Sequence, residues 1–296
     1  KVLGALLVVS FGILLFMGRE IYLAAPPMPA AVKTVTGQTL FTKADIETGR
    51  QVWQSIGGHQ LGSIWGHGSY VAPDWSADWL HREATGVLDT WAQRETGKRY
   101  ADLDAATQAA LQAKLVPEMR GNTYNPDTGV VTVSEDRAAA IAAAADHYQR
   151  LFSDDPSLDT LRAQYAIQPN PIPDAARRQA MTAFFFWTSW STVTNRPGQA
   201  ISYTSNWPSE PLVGNTPTAP TYMWTFISFG LLAGVGALTW YYVATHGKEP
   251  APQIPDSDPL RSLNPTPSMK ATAKYFWVVT ALFLVQIVLG GITAHY

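Results

Sequence analysis

Cysteine is absent from the 296 residues, and that one absence removes disulfides, thiolate metal centres, iron–sulfur clusters and thioether-linked haem from the chemistry the chain can support. It leaves the compartment open, since a cysteine-free domain suits oxidising and reducing surroundings alike. Clustered basic charge is missing too. The 21 Lys and Arg are scattered among 23 Asp and Glu, for a net charge of −2. No stretch could neutralise a phosphate backbone, so a nucleic-acid partner is excluded. The six histidines fall on loops and ends and offer no metal-spaced pair. Charge is sparse overall, 15% of residues against 46% apolar, which fits neither a disordered chain nor one embedded throughout in lipid. No internal repeat or low-complexity tract is evident.

What is present is a mixture: three apolar runs, with a stretch of ordinary soluble composition between the first two. Residues 2–17 carry no charge and lead through Arg19 and Glu20 to a Pro26-Pro27-Met28-Pro29 exit. Residues 1–23 therefore read as a membrane anchor helix. A cleaved signal peptide is the alternative, but its apolar stretch would be shorter and a small-x-small site would follow. Residues 222–245 read as a second span, uncharged from 222 to 244, with Tyr222 and Trp224 at one end and Trp240, Tyr241 and Tyr242 at the other, where rings sit at headgroup depth. A third helix is expected over 271–296, uncharged from 275 to 293. The loop 246–270 carries Lys248, Arg261 and Lys270, which the positive-inside rule puts in the cytoplasm. The N-terminus is then cytoplasmic and 24–221 lies outside. A third helix ending at the membrane surface reads as an interrupted polypeptide, and the lack of a methionine at Lys1 as missing residues upstream.

Within the outer region, apolar spacing predicts helices over 43–56 with Thr42 as cap, 76–92, 101–120, and 138–151 capped by Ser134. Strands are expected around 130–133, after an Asn125-Pro-Asp-Thr-Gly129 turn. The aromatic segment 182–192 is helical but too rich in hydroxyls at Thr188, Ser189, Ser191 and Thr192 for a free span; it lies at the membrane interface or packs on neighbouring helices. Glu83, Asp89, Glu95, Asp102, Asp104 and Glu118 read as solvated helix faces.

The most informative stretch runs from Gly49-Arg-Gln-Val-Trp53 through Gly58-His-Gln-Leu-Gly62 to Gly66-His-Gly-Ser-Tyr-Val-Ala-Pro73. It resembles the haem-attachment region of the small cytochrome c subunit of bacterial nitric oxide reductase, which reads roughly G-x-x-V-W, C-x-x-C-H, G-E-G-A-Y-x-A-P. On that pattern Gly58 and Leu61 stand where cysteines belong and Gly62 where the axial histidine belongs, so the haem c positions are vacated. His59 is one residue away from any matching role. A cytochrome c fold without its haem is the feature of quinol-dependent nitric oxide reductase, in the haem-copper oxidase superfamily. The loops Asn195-Arg-Pro-Gly198 and Tyr203-Thr-Ser-Asn-Trp-Pro208 and the ending Gly290-Gly-Ile-Thr-Ala-His-Tyr296 extend the likeness.

The resemblance implies a mostly α membrane protein: transmembrane helices flanking a haem-less cytochrome c-like periplasmic domain, then the start of an oxidase-type bundle, in the bacterial inner membrane. It implies quinol and nitric oxide as substrates. Low-spin and high-spin haem b and non-haem iron would be bound by the rest of the same polypeptide, with no haem c here and no catalytic residue in this segment. His295 would face the quinol, its imidazole able to take a hydroxyl proton near neutral pH, although the acidic residue that usually follows one turn later is absent. Gly68 and Tyr70 match positions that supply oxygens to a calcium ion in cytochrome-dependent relatives, with His67 in place of a glutamate. Gly230 and Gly234 permit close helix contact, within the chain or across a homodimer. A membrane sensor or receptor domain and a haem-free accessory subunit are the non-catalytic alternatives.

Overall fold

The computed structural model describes residues 2–246. The expected cytoplasmic loop beyond His246 and the third helix, with His295, lie outside the described residues. Helices α1 (Val2–Leu23), α2 (Lys43–Ser55), α3 (Gly58–Leu61), α4 (Trp75–Thr96), α5 (Ala105–Arg120), α6 (Glu135–Leu151), α7 (Asp159–Gln164), α8 (Ala175–Val193) and α9 (Ala219–His246) alternate with short strands β1 (Ala31–Thr34), β2 (Thr39–Thr42), β3 (Ser63–Ile64), β4 (His67–Gly68), β5 (Tyr124–Asn125) and β6 (Val130–Val133). Two compact units divide the chain after Ile227.

The expected caps are in place. The Thr42 hydroxyl accepts from the Asp45 amide while the Asp45 carboxylate accepts from the Thr42 amide, a reciprocal box that starts α2. Ser134 caps α6 by accepting from the Arg137 amide, and its hydroxyl donates to Glu118 at 2.6 Å. A four-stranded sheet in the order β2-β1-β6-β5 was not foreseen beyond β6. Its β1–β6 pair is parallel, joining Val32 to Val131. Strands of four residues or fewer carry too little alternation to announce themselves.

The core is built on α8, which packs on α2, α4 and α6. Every residue from Ala180 to Val193 is buried, so the aromatic segment packs on neighbouring helices rather than lying at a surface. Of the four hydroxyls from Thr188 to Thr192, three are satisfied within the helix: Thr188 donates to the Phe185 carbonyl, Ser191 to that of Trp187 and Thr192 to that of Thr188, at 2.8 to 2.9 Å, while the buried Ser189 hydroxyl has no partner among the described residues. Those three bonds are how so polar a helix tolerates complete burial. The α2–α8 crossing is close enough that a side chain at Gly49 would meet the Ala180 carbonyl oxygen at 2.0 Å.

Glu83 corrects the expectation of a solvated face. It is fully buried in α4, accepts from Arg137 Nε at 2.6 Å and from Trp79 Nε1 at 2.9 Å. A buried carboxylate persists only with such partners. Asp104 behaves as a surface cap, accepting from the amides of Ala106 and Thr107.

In the second unit the described residues continue α9. This helix is long and apolar enough to cross a membrane. Phe226, Leu231, Leu232 and Leu238 along α9 are each more than three-fifths exposed, a surface that water disfavours and lipid or protein would cover.

Candidate functional site

The cradle expected to hold haem lies between α2 and α4. After α2 the chain turns through Gly57 with φ of +70° into the single helical turn α3, and Gly62 follows in extended backbone. Strands β3 and β4 then pair Ser63 with Gly68. Asp74 ties this excursion to α4. One carboxylate oxygen accepts from Ser63 Oγ at 2.8 Å and the Gly66 amide at 2.6 Å, and the other caps α4 through the Ala77 amide at 3.0 Å.

The interior of the cradle is filled with rings. A β-carbon at Gly58 would lie 2.1 Å from the Trp53 indole, and one at Gly62 would lie 2.4 Å from Trp75 Nε1 and 2.6 Å from the Pro73 carbonyl oxygen. Trp53 and Trp75 are both essentially inaccessible. Their centroids are 6.1 Å apart, edge to face, and Phe185 packs on both: against the edge of Trp53 at 5.4 Å and stacked on Trp75 at 5.7 Å. Tyr148 extends the cluster, stacked on Trp79 at 5.3 Å. Burial pushes the Tyr148 hydroxyl well above its ordinary pKa, with Asp78 beside it adding to the effect, so it stays protonated. Offset and edge contacts of this kind add to the burial of large ring area. The indole N–H groups of Trp53 and Trp75 have no hydrogen-bond partner, so these two rings are held by volume alone.

Covalent haem does not fit here. Thiols are absent, and the directions in which side chains at residues 58 and 62 would project are taken by indoles and by backbone. Leu61 is partly buried against the same core. His59 is exposed, its Nδ1 3.2 Å from the His67 carbonyl oxygen.

A family model for the NorB cytochrome c-like domain of nitric oxide reductase matches residues 29–209. The chain belongs to that family. Among curated proteins, none matches it. The match takes in the cradle, the sheet and all of α8, so the region with the packed aromatic interior is the cytochrome c-like domain of this reductase family.

The remaining expected residues are scattered. Gly68 sits in β4 with φ of +141°, and Tyr70 follows, 78% exposed. Two oxygens are far short of the six to eight that calcium takes. No three His, Asp or Glu residues gather to hold a metal among the described residues. Gly230 and Gly234 lie on α9 with open space beside them. The indole filling of the cradle was missed at the sequence level: Trp53 and Trp75 are visible as residues, but nothing in spacing says that they meet over Gly58 and Gly62.

Proposed function

We propose that this chain supplies the haem-free outer domain and membrane tethers of a quinol-oxidising nitric oxide reductase. The packed cradle is the observation that carries the reading. A cytochrome c-like domain whose ligand positions are glycines beneath two tryptophans has no stepping stone for electrons from a water-soluble donor, so reducing equivalents enter from the bilayer. The overall reaction is QH2 + 2 NO → Q + N2O + H2O: quinol gives up two electrons and two protons, and two NO take them up. The low-spin and high-spin haem b and the non-haem iron belong to other parts of the enzyme, and no step is routed through residues 29–209.

In this reading α1 and α9 both cross the bacterial inner membrane, the domain between them is periplasmic, and the N-terminus and the loop after α9 are cytoplasmic. The run 271–296 opens the catalytic bundle, and His295 accepts a proton from the quinol hydroxyl. Gly68 and the exposed Tyr70 supply oxygens to a calcium ion. Gly230 and Gly234 pair α9 with a second copy.

The test is NO consumption by membranes containing the full-length protein, driven either by a quinol or by reduced soluble cytochrome c. Quinol supports turnover, cytochrome c does not, and the chain shows no covalent haem stain on denaturing gels. His295→Ala lowers the quinol-driven rate at least ten-fold, as loss of a positioned proton acceptor does. Turnover with cytochrome c and none with quinol would sink the reading, and the absence of NO consumption with either donor would favour a sensor or accessory subunit.

A further inference from the structure

Arg120, the last residue of α5, is 8% exposed and donates five hydrogen bonds, all to neutral oxygens. Its terminal nitrogens reach the side-chain oxygens of Asn195 at 2.8 Å, Asn206 at 2.9 Å and Asn215 at 3.0 Å, and the carbonyls of Ala200 and Gly214. Among the described residues it forms no ion pair. This cage explains how Arg120 knits together the loops after α8, but it leaves a buried positive charge with no carboxylate to balance it.

A cleft of about 600 Å³ opens beside it, lined also by Asn122, Asn195, Arg196 and Gly198. Arg196 supplies a second cation. It donates to the Tyr203 carbonyl at 2.8 Å, and among the described residues it lacks a carboxylate partner and its buried Nε has no hydrogen bond. Structural bracing accounts for the bonds of Arg120 and not for a second unbalanced guanidinium in the same cleft. Arg196, Pro197 and Gln199 also line an adjoining recess whose far wall is Leu23 and Ala24, the end of the apolar helix α1. No Asp or Glu lines either recess among the described residues.

We propose that Arg120 and Arg196 form a site for a phosphate-class oxyanion, carried by the headgroup of an acidic phospholipid. Arg196 supplies guanidinium donors matched to tetrahedral oxygens, while Arg120, whose terminal nitrogens are engaged by the loop cage, contributes its uncompensated positive charge beside them. The site opens where α1 leaves its apolar stretch, at the depth where headgroups lie. The anion chemistry stands on the cleft alone; the lipid source rests on the reading of α1 as a membrane helix.

Both parts are tested on the full-length protein in detergent by titrating dihexanoyl phosphatidylglycerol, dihexanoyl phosphatidylcholine and inorganic phosphate, with adducts counted by native mass spectrometry. The glycerol lipid binds at least ten-fold tighter than the choline lipid, phosphate competes with it, and Arg196→Gln weakens it at least ten-fold. Gln199→Glu places a carboxylate at the mouth of the cleft from an exposed position, so it folds normally and suppresses binding as well. Equal binding of the glycerol lipid to wild type and to Gln199→Glu overturns the site. Phosphate binding as tight as the lipid overturns the lipid source. Alkaline carbonate extraction of membranes separately checks α1: release of the chain would defeat the membrane reading while leaving the binding comparison intact.

Discussion

Two glycine pairs in this chain have the same spacing and opposite surroundings. Gly58 and Gly62 flank a single helical turn and lie under tryptophans that leave no room for a β-carbon, whereas Gly230 and Gly234 on α9 face open space. At the first pair, glycine is required by what has moved in. At the second, glycine leaves a smooth strip for something to approach. A Gly-x-x-x-Gly pattern therefore says only that a side chain is absent, and the neighbours decide whether the space is taken or offered.

The largest effect should come from forcing ligands back into the first pair. Gly58→Cys, Leu61→Cys and Gly62→His combined restores the attachment pattern on paper. We expect a protein destabilised by about 3 kcal/mol or more through overpacking, with no covalent haem even in cells equipped to attach it. Haem attachment with an unchanged Tm would show that the indoles swing aside and would erase the contrast between the pairs. A smaller effect distinguishes the rings themselves. Trp79→Phe strips a donor from the buried Glu83 carboxylate, while Trp53→Phe and Trp75→Phe remove N–H groups that bond to nothing. Trp79→Phe should cost about 1–2 kcal/mol more in denaturant titration than either of the others; equal losses would mean that ring volume alone matters throughout the cluster.

Much of this was legible in the residues. Helices α2 and α6 announced themselves through Thr42 and Ser134, because a cap and an apolar spacing agree locally. That Gly58, Leu61 and Gly62 carry neither thiol nor imidazole could be read without coordinates. The identity of the filling could not, since Trp53, Trp75 and Phe185 come from three separate helices and meet only in the fold. Glu83 was misjudged although a signal existed: it stands one turn after Trp79 and one turn before Val87, on the face of α4 that is buried. Arg120 gave no such sign, for a basic residue closing a helix is an ordinary solvated ending, and its three asparagine partners lie 75 to 95 residues away.

The second pair yields a change in assembly rather than in stability. Gly230→Leu with Gly234→Leu should leave the stability of the domain within about 0.5 kcal/mol of wild type, as for a change that touches no packed feature, while converting a dimer on blue-native gels to a monomer. A retained dimer would remove α9 from any interface and reduce the contrast to one of solvent exposure.

The smallest effects are set by two histidines that respond to pH in opposite senses. Burial, followed by the nearby Arg82, lowers the pKa of His147 to about 4 from 6.5. The folded state favours neutral imidazole, so His147 costs nothing above pH 6.5 and destabilises the domain increasingly as pH falls toward 4. His81 is raised by its 2.9 Å hydrogen bond to Glu210. Its contribution is complete below its unfolded value of 6.5 and is lost as pH climbs through the raised value. Because the His81 side chain is 59% exposed, solvent screening keeps that contribution small. Melting curves from pH 4 to 8 should thus show His147→Gln gaining on wild type toward acid, and His81→Gln trailing wild type only on the acid side and converging with it above neutrality. If His147→Gln tracks wild type through the acid range, then the ring is wet in solution, and the α4–α6 face is looser than the sealed aromatic interior a few residues away.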